Sequence, residues 1–153
     1  MLGYIAAALL GVVFGSFATV LVARVPEGEG VARGRSRCRS CGQEIAWHDN
    51  IPLLSWMMLG GRCRHCKARI SARYPLIEAS VGALFVAVYA VWGISWTSLV
   101  FAYLAVISVA LVAIDLEHHR LPHSMVLPSY GVVVMVMAVA WIAGERDTWW
   151  TAA

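Results

Sequence analysis

Four cysteines in two Cys-x-x-Cys pairs, Cys38/Cys41 and Cys63/Cys66, are the residues of this chain best suited to chemistry. A Cys-x-x-Cys turn presents two sulfurs on one side of a tight knuckle, and two such knuckles complete a tetrahedron around Zn²⁺. Gly42 and the Gly60-Gly61 pair supply turn residues beside them. The competing reading is a pair of disulfides; a reducing compartment would favour metal. A four-sulfur site has no open coordination position, so the metal would be structural, folding a loop too polar to build a core. His65 stands inside the second pair and reads as a bystander. Nothing around either pair resembles the βαβ unit of a redox dithiol.

The elements that must position this loop are membrane-grade. Of 153 residues, 60% are hydrophobic and 14% charged, against about 25% charged in an ordinary soluble domain. Four apolar runs stand out, at residues 1–23, 75–92, 98–114 and 125–143. A spanning helix needs roughly 17–25 such residues. The short link 93–97 suits a helical hairpin. The first run has no basic residue before Arg24 and is long for a signal-peptide core, so it reads as a span. The expected fold is an all-α polytopic bundle of about four transmembrane helices. Its expected divisions are a first helix at 1–23, a four-cysteine loop at 24–74, and further spans at 75–153.

Ten of the twelve Lys and Arg lie from Arg24 to Arg73. Basic loops remain cytoplasmic, which puts the cysteine loop inside a plasma membrane and the N-terminus outside. Topology thus accounts for the net charge of +3, and nucleic-acid binding is not indicated.

Two acids lie at membrane edges. Asp115 follows an apolar run directly; it either reaches headgroup water or is a functional intramembrane acid. Glu78 could pair with Arg73 or cap its helix. His118, His119 and His123 read as a solvated inner loop. Pro122 cannot sit inside a regular helix, so the third helix must end soon after Asp115. The fourth should begin near Ser124, with Pro128 in its first turns.

Together these motifs resemble the type IV prepilin peptidase family. The resemblance rests on Gly15-Ser16-Phe17-Ala18-Thr19-Val20 with Arg24-Val25-Pro26, the two cysteine pairs, Asp49-Asn50-Ile51-Pro52-Leu53-Leu54-Ser55-Trp56, and Arg73-Tyr74-Pro75-Leu76-Ile77-Glu78. Asp115 with Leu121-Pro122 and Leu127-Pro128 completes it. It implies a membrane aspartic endopeptidase, with Asp115 as the first catalytic aspartate. The substrates would be prepilin or pseudopilin precursors, with cleavage after a glycine on the cytoplasmic side. It also implies possible methyl transfer from S-adenosylmethionine to the new N-terminus. The chain departs from the family pattern at Thr19, where Asn is usual, and at His123, where Asp or Asn is common. It also contains no Gly-x-Gly-Asp, the motif of the second catalytic aspartate; Gly144-Glu145-Arg146-Asp147 lacks the second glycine. The expectation is therefore the front portion of such an enzyme, with the residues after 147 reading as the start of another span. The alternative is a zinc-knuckled scaffold that binds precursors without cutting them.

Overall fold

The computed structural model describes residues 1–31 and 35–144. The expectations placed on residues 145–153 lie outside the described residues. The chain forms helices α1 (Leu2–Arg24), α2 (Leu54–Met58), α3 (Arg73–Trp92), α4 (Trp96–His118) and α5 (His123–Ile142), with a 3₁₀ turn at Trp47–Asn50. Among the described residues there is no strand, only two isolated bridges in the cysteine loop. α1, α3, α4 and α5 are each long and apolar enough to cross a membrane.

α1 and α3 pack antiparallel through small residues. A Cβ on Gly11 would stand 2.8 Å from the Gly82 Cα, and one on Gly15 would stand 2.7 Å from the Glu78 Cα. In lipid, where apolar burial gives helices no drive to associate, such close backbone approach is how helices gain contact. The outer face of α1 exposes Leu9, Val13 and Phe17, as a lipid-facing helix should. The core lies where α1, α3 and α4 meet, around Ala18, Val22, Val81, Val106, Ala110 and Ile114.

The helix ends follow local chemistry. Gly93, at φ +59, turns the chain after α3. Ser95 and Ser98 then form a reciprocal capping box, so α4 begins two residues before the apolar run. At its other end α4 runs to His118 and stops with His119 in the left-handed conformation, just before Leu121-Pro122. Pro122 precedes α5, and Pro128 lies within α5, where its ring costs the helix one backbone hydrogen bond. Beside it, Ser129 donates to the Met125 carbonyl (2.6 Å) and meets Tyr103 of α4 (2.9 Å).

The start of α3 and the end of α4 lie together, tied by an ion pair between Arg73 and Glu117. The antiparallel pairing brings the end of α1 to that same side. The cysteine loop therefore sits over one end of the bundle, and Asp115 lies at that end.

Candidate metal centre and adjoining cavity

The two cysteine pairs are copies of one hairpin. Arg37-Cys38-Arg39-Ser40-Cys41-Gly42-Gln43-Glu44-Ile45 and Arg62-Cys63-Arg64-His65-Cys66-Lys67-Ala68-Arg69-Ile70 agree at both cysteines, two arginines and the isoleucine. Their backbones agree too. In the first, the Cys38 amide donates to Gln43 O (2.9 Å), Gly42 N to Cys38 O (2.8 Å) and Ile45 N to Ser36 O (2.8 Å). In the second, Cys63 N donates to Ala68 O (2.9 Å), Lys67 N to Cys63 O (3.1 Å) and Ile70 N to Gly61 O (2.7 Å). Each hairpin needs a left-handed residue just after its second cysteine. Gly42 fills that place at φ +71 and Lys67 at φ +57. The repeat was visible in the sequence as Arg-Cys-Arg-x-Cys-x-x-x-Ile, but reading the cysteines alone passes over it.

Facing each other, the hairpins bring the four sulfurs within 4.8 Å of one another. Cys38 Sγ and Cys66 Sγ are 3.8 Å apart. Metal–sulfur bonds of about 2.3 Å in a tetrahedron give sulfur–sulfur edges of about 3.8 Å. The donor set thus fits a tetrahedral thiolate metal, and the four cysteines are free thiols rather than disulfides. Cys63 is buried, Cys38 half-buried, and Cys41 and Cys66 face outward. His65 stands outside the cluster. The amides of Cys41 and Ser40 point at the Cys38 sulfur and lower its thiol to about 6. The Ala68 amide pulls the Cys66 thiol down, but lost hydration and hydrogen bonds with the other three sulfurs outweigh it, and it rises to about 11.

The loop is braced around this centre. Arg64 grips Asp49 with two hydrogen bonds, Nε to Oδ2 (2.7 Å) and Nη2 to Oδ1 (2.6 Å). That bidentate bond holds the Asp49 carboxyl below its usual range. Trp56 of α2 donates Nε1–H to Ile70 O (3.2 Å) and lies so close over Gly61 that a Cβ there would meet the ring at 2.9 Å. The next bond joins loop to bundle. Leu53, strained at φ +59, donates its amide to Glu78 Oε2 at 2.7 Å. Glu78 therefore neither pairs with Arg73 nor caps its own helix, the two roles open to it from the sequence. It accepts from the loop, while Arg73 is taken by Glu117.

Between the hairpins and the helix ends lies a cavity of about 400 Å³, walled on the bundle side by Ser16, Thr19, Tyr74, Glu78 and Glu117 and on the loop side by Trp56 of α2. Pockets of roughly 300–1,000 Å³ take small ligands. Asp115 does not line it. It is exposed in the last turn of α4, where its carbonyl accepts from His119 N (2.8 Å). The cysteines are thus brought together, and Asp115 stands apart from them at the same end of the molecule.

A profile of the bacterial Peptidase A24 N-terminal domain matches residues 9–92, more than half of the chain and the whole of the two-hairpin loop. The chain belongs to the bacterial A24 peptidase family. This family includes the prepilin leader peptidases, and the curated relatives agree. A prepilin leader peptidase/N-methyltransferase of Myxococcus xanthus is 48% identical over 122 residues, covering 78% of this chain and 36% of the relative. A type 4 prepilin-like proteins leader peptide-processing enzyme of Escherichia coli is 38% identical over 149 residues, covering 86% of the chain and 54% of that protein. A prepilin leader peptidase/N-methyltransferase of Stutzerimonas stutzeri is 34% identical over 171 residues, covering 95% and 58%. The chain thus spans between about a third and three-fifths of these A24 relatives. No solved structure matches it. Asp115 lies beyond the profile match, in the third of the four apolar helices of this multi-pass A24 protein.

Proposed function

We propose that this chain supplies the metal-bearing loop and the first catalytic aspartate of a membrane aspartic endopeptidase. That enzyme removes the leader of type IV prepilin-like precursors. The observation that carries the reading is the placement of Asp115 at the end of the bundle that carries the four-sulfur centre, in a chain of the A24 family. Asp115 acts as one of two carboxylates sharing a proton, because like charges close together cannot both ionise. One activates water against the scissile carbonyl and the other protonates the leaving amine. The partner carboxylate belongs to a Gly-x-Gly-Asp segment that this chain does not contain. Among the described residues, Glu78 and Glu117 at this end are already engaged by Leu53 and Arg73.

The metal is zinc, held structurally by Cys38, Cys41, Cys63 and Cys66. The loop is cytoplasmic and the membrane the bacterial inner membrane, as the concentration of Lys and Arg between Arg24 and Arg73 supports. N-methylation with S-adenosylmethionine belongs to the same reading. It is supported by the N-methyltransferase name of the relatives and by a cavity of ligand size beside the loop.

The test is reconstitution. The chain is co-produced with the part of the Myxococcus relative that lies beyond the matched region, in a host lacking its own prepilin peptidase. Conversion of a prepilin to its shorter form on gels is expected. Precursor that is bound but never shortened would favour the second reading, a zinc-knuckled scaffold. The lack of a Gly-x-Gly-Asp segment in this chain is what keeps that reading in play.

The hairpin repeat adds a finer expectation. Lys67 occupies the left-handed position that its twin gives to Gly42, and this conformation costs a non-glycine residue about 1–2 kcal/mol. Part of that gain is offset by the extra freedom of glycine in the unfolded chain. Lys67→Gly should therefore tighten zinc two- to fivefold in competition with a chelating dye, and an unchanged or weaker affinity would refute the strain argument.

A further inference from the structure

The turn before α2 lies deeper than a cytoplasmic loop should. Leu53 bonds Glu78, and Glu78 lies level with Gly15 of α1. From Arg73 to Glu78 is about 7.5 Å of helix, and from Gly15 to Arg24 about 13 Å, at 1.5 Å per residue. Both helices thus place the turn inside the end of the bundle. α3 has 20 residues, about the least that crosses a 30 Å hydrocarbon core. Were the hydrocarbon boundary below Glu78, residues 79–92 would have to cross alone, and they reach only about 21 Å.

Five amides of the turn find protein partners, as that depth requires where an unsatisfied polar group has no water to turn to. Ile51 N donates to Ser55 Oγ (3.0 Å), and Leu53 N to Glu78. Leu54 N donates to Pro52 O (2.6 Å), Ser55 N to Ile51 O (3.0 Å) and Met57 N to Leu53 O (3.1 Å). Pro52 has no amide to satisfy. The side chains are apolar and outward: Leu54 is 50% exposed, Met57 70% and Met58 77%. Trp47, also exposed, is of the type enriched at membrane interfaces.

We infer that residues 51–58 form a re-entrant foot whose Leu54, Met57 and Met58 lie among the lipids of the membrane that α1 and α3 cross. Interfacial helices bury their apolar faces about 5–10 Å into this boundary, the depth α3 indicates, with α1 placing the turn a few ångströms deeper. Because Trp56 ties the foot to Ile70 and Gly61, the foot also holds the second cysteine hairpin against the bilayer. The inference rests on the membrane-spanning helices and stands whether or not the chain cleaves precursors.

It is tested on the full chain in nanodiscs of phosphatidylcholine and phosphatidylglycerol, with metal content measured on the same sample. A microsecond pulse of hydroxyl radicals is followed by mass spectrometry of methionine oxidation. Met57 and Met58 should be oxidised at least about fivefold more slowly than methionine in a water-soluble peptide, as should Met135 within α5. Less slowing than that overturns the foot. Slowing that appears only when a peptide carrying a precursor's hydrophobic stem is added assigns the surface to substrate, and equally overturns the lipid assignment.

Discussion

Asp115→Asn, made in the reconstituted assembly, should lower kcat/KM for leader cleavage by about 10²–10⁴-fold, the range lost with a general base. This corresponds to about 2.7–5.5 kcal/mol of transition-state stabilisation. The drop should fall on kcat, because the carboxylate acts on water and not on the body of the precursor. Asn keeps the shape of the side chain and removes its capacity to take a proton. Asp115 is exposed, and its recorded hydrogen bond uses the backbone carbonyl, so metal content and helix packing should be unchanged. Loss of cleavage with intact metal therefore reports chemistry. Retained cleavage would remove Asp115 from the mechanism. Glu117→Gln is the contrast: it frees Arg73 and should cost less than tenfold.

Cys63→Ser should strip the metal and unfold the loop while the four long helices remain. Cys63 is the buried member of the set, and its backbone closes the second hairpin through Ala68 and Lys67. Structural zinc contributes about 10–16 kcal/mol of folding free energy in small zinc-binding peptides. The hydrophobic core lies wholly in the helices and their flanks, so beyond the metal the loop has only a few polar bonds and the Trp56 contact to hold it. Metal per chain, measured by mass spectrometry on protein purified under reducing conditions, should fall from about one to below about 0.1. Limited proteolysis should then cut between Arg24 and Arg73. Wild-type protein carrying no metal would refute the centre. Acid should act as the mutation does, since protons and metal compete for thiolates. Metal should be held at neutral pH and released progressively as the pH is lowered.

Much of this was legible in sequence, for physical reasons that differ by feature. The four spans could be read because lipid demands long uncharged runs, and their ends moved by only a turn or less once Ser95 and His119 supplied caps. The sulfur cluster could be read because Cys-x-x-Cys geometry is local. What could not be read were contacts between distant segments. Glu78 looked like a partner for Arg73, five residues away on the same helix, yet it is held by an amide from the loop, and Arg73 finds Glu117 on another helix. The clamp of Arg64 on Asp49 was hidden for the same reason. The hairpin repeat was legible in principle, since both copies lie in the open as nine-residue strings.

The glycine seam between α1 and α3 also governs when the protein can assemble. Gly11 and Gly15 find their partners in Gly82 and Glu78, on the far side of the whole cysteine loop. At ribosomal speeds of about 5–20 residues per second, α1 must wait several seconds in the membrane before its partner helix is made. During that interval the loop emerges first, and its four cysteines would have time to take up the proposed metal. The order of synthesis thus lets a finished metal centre be drawn down onto the bundle as the seam closes.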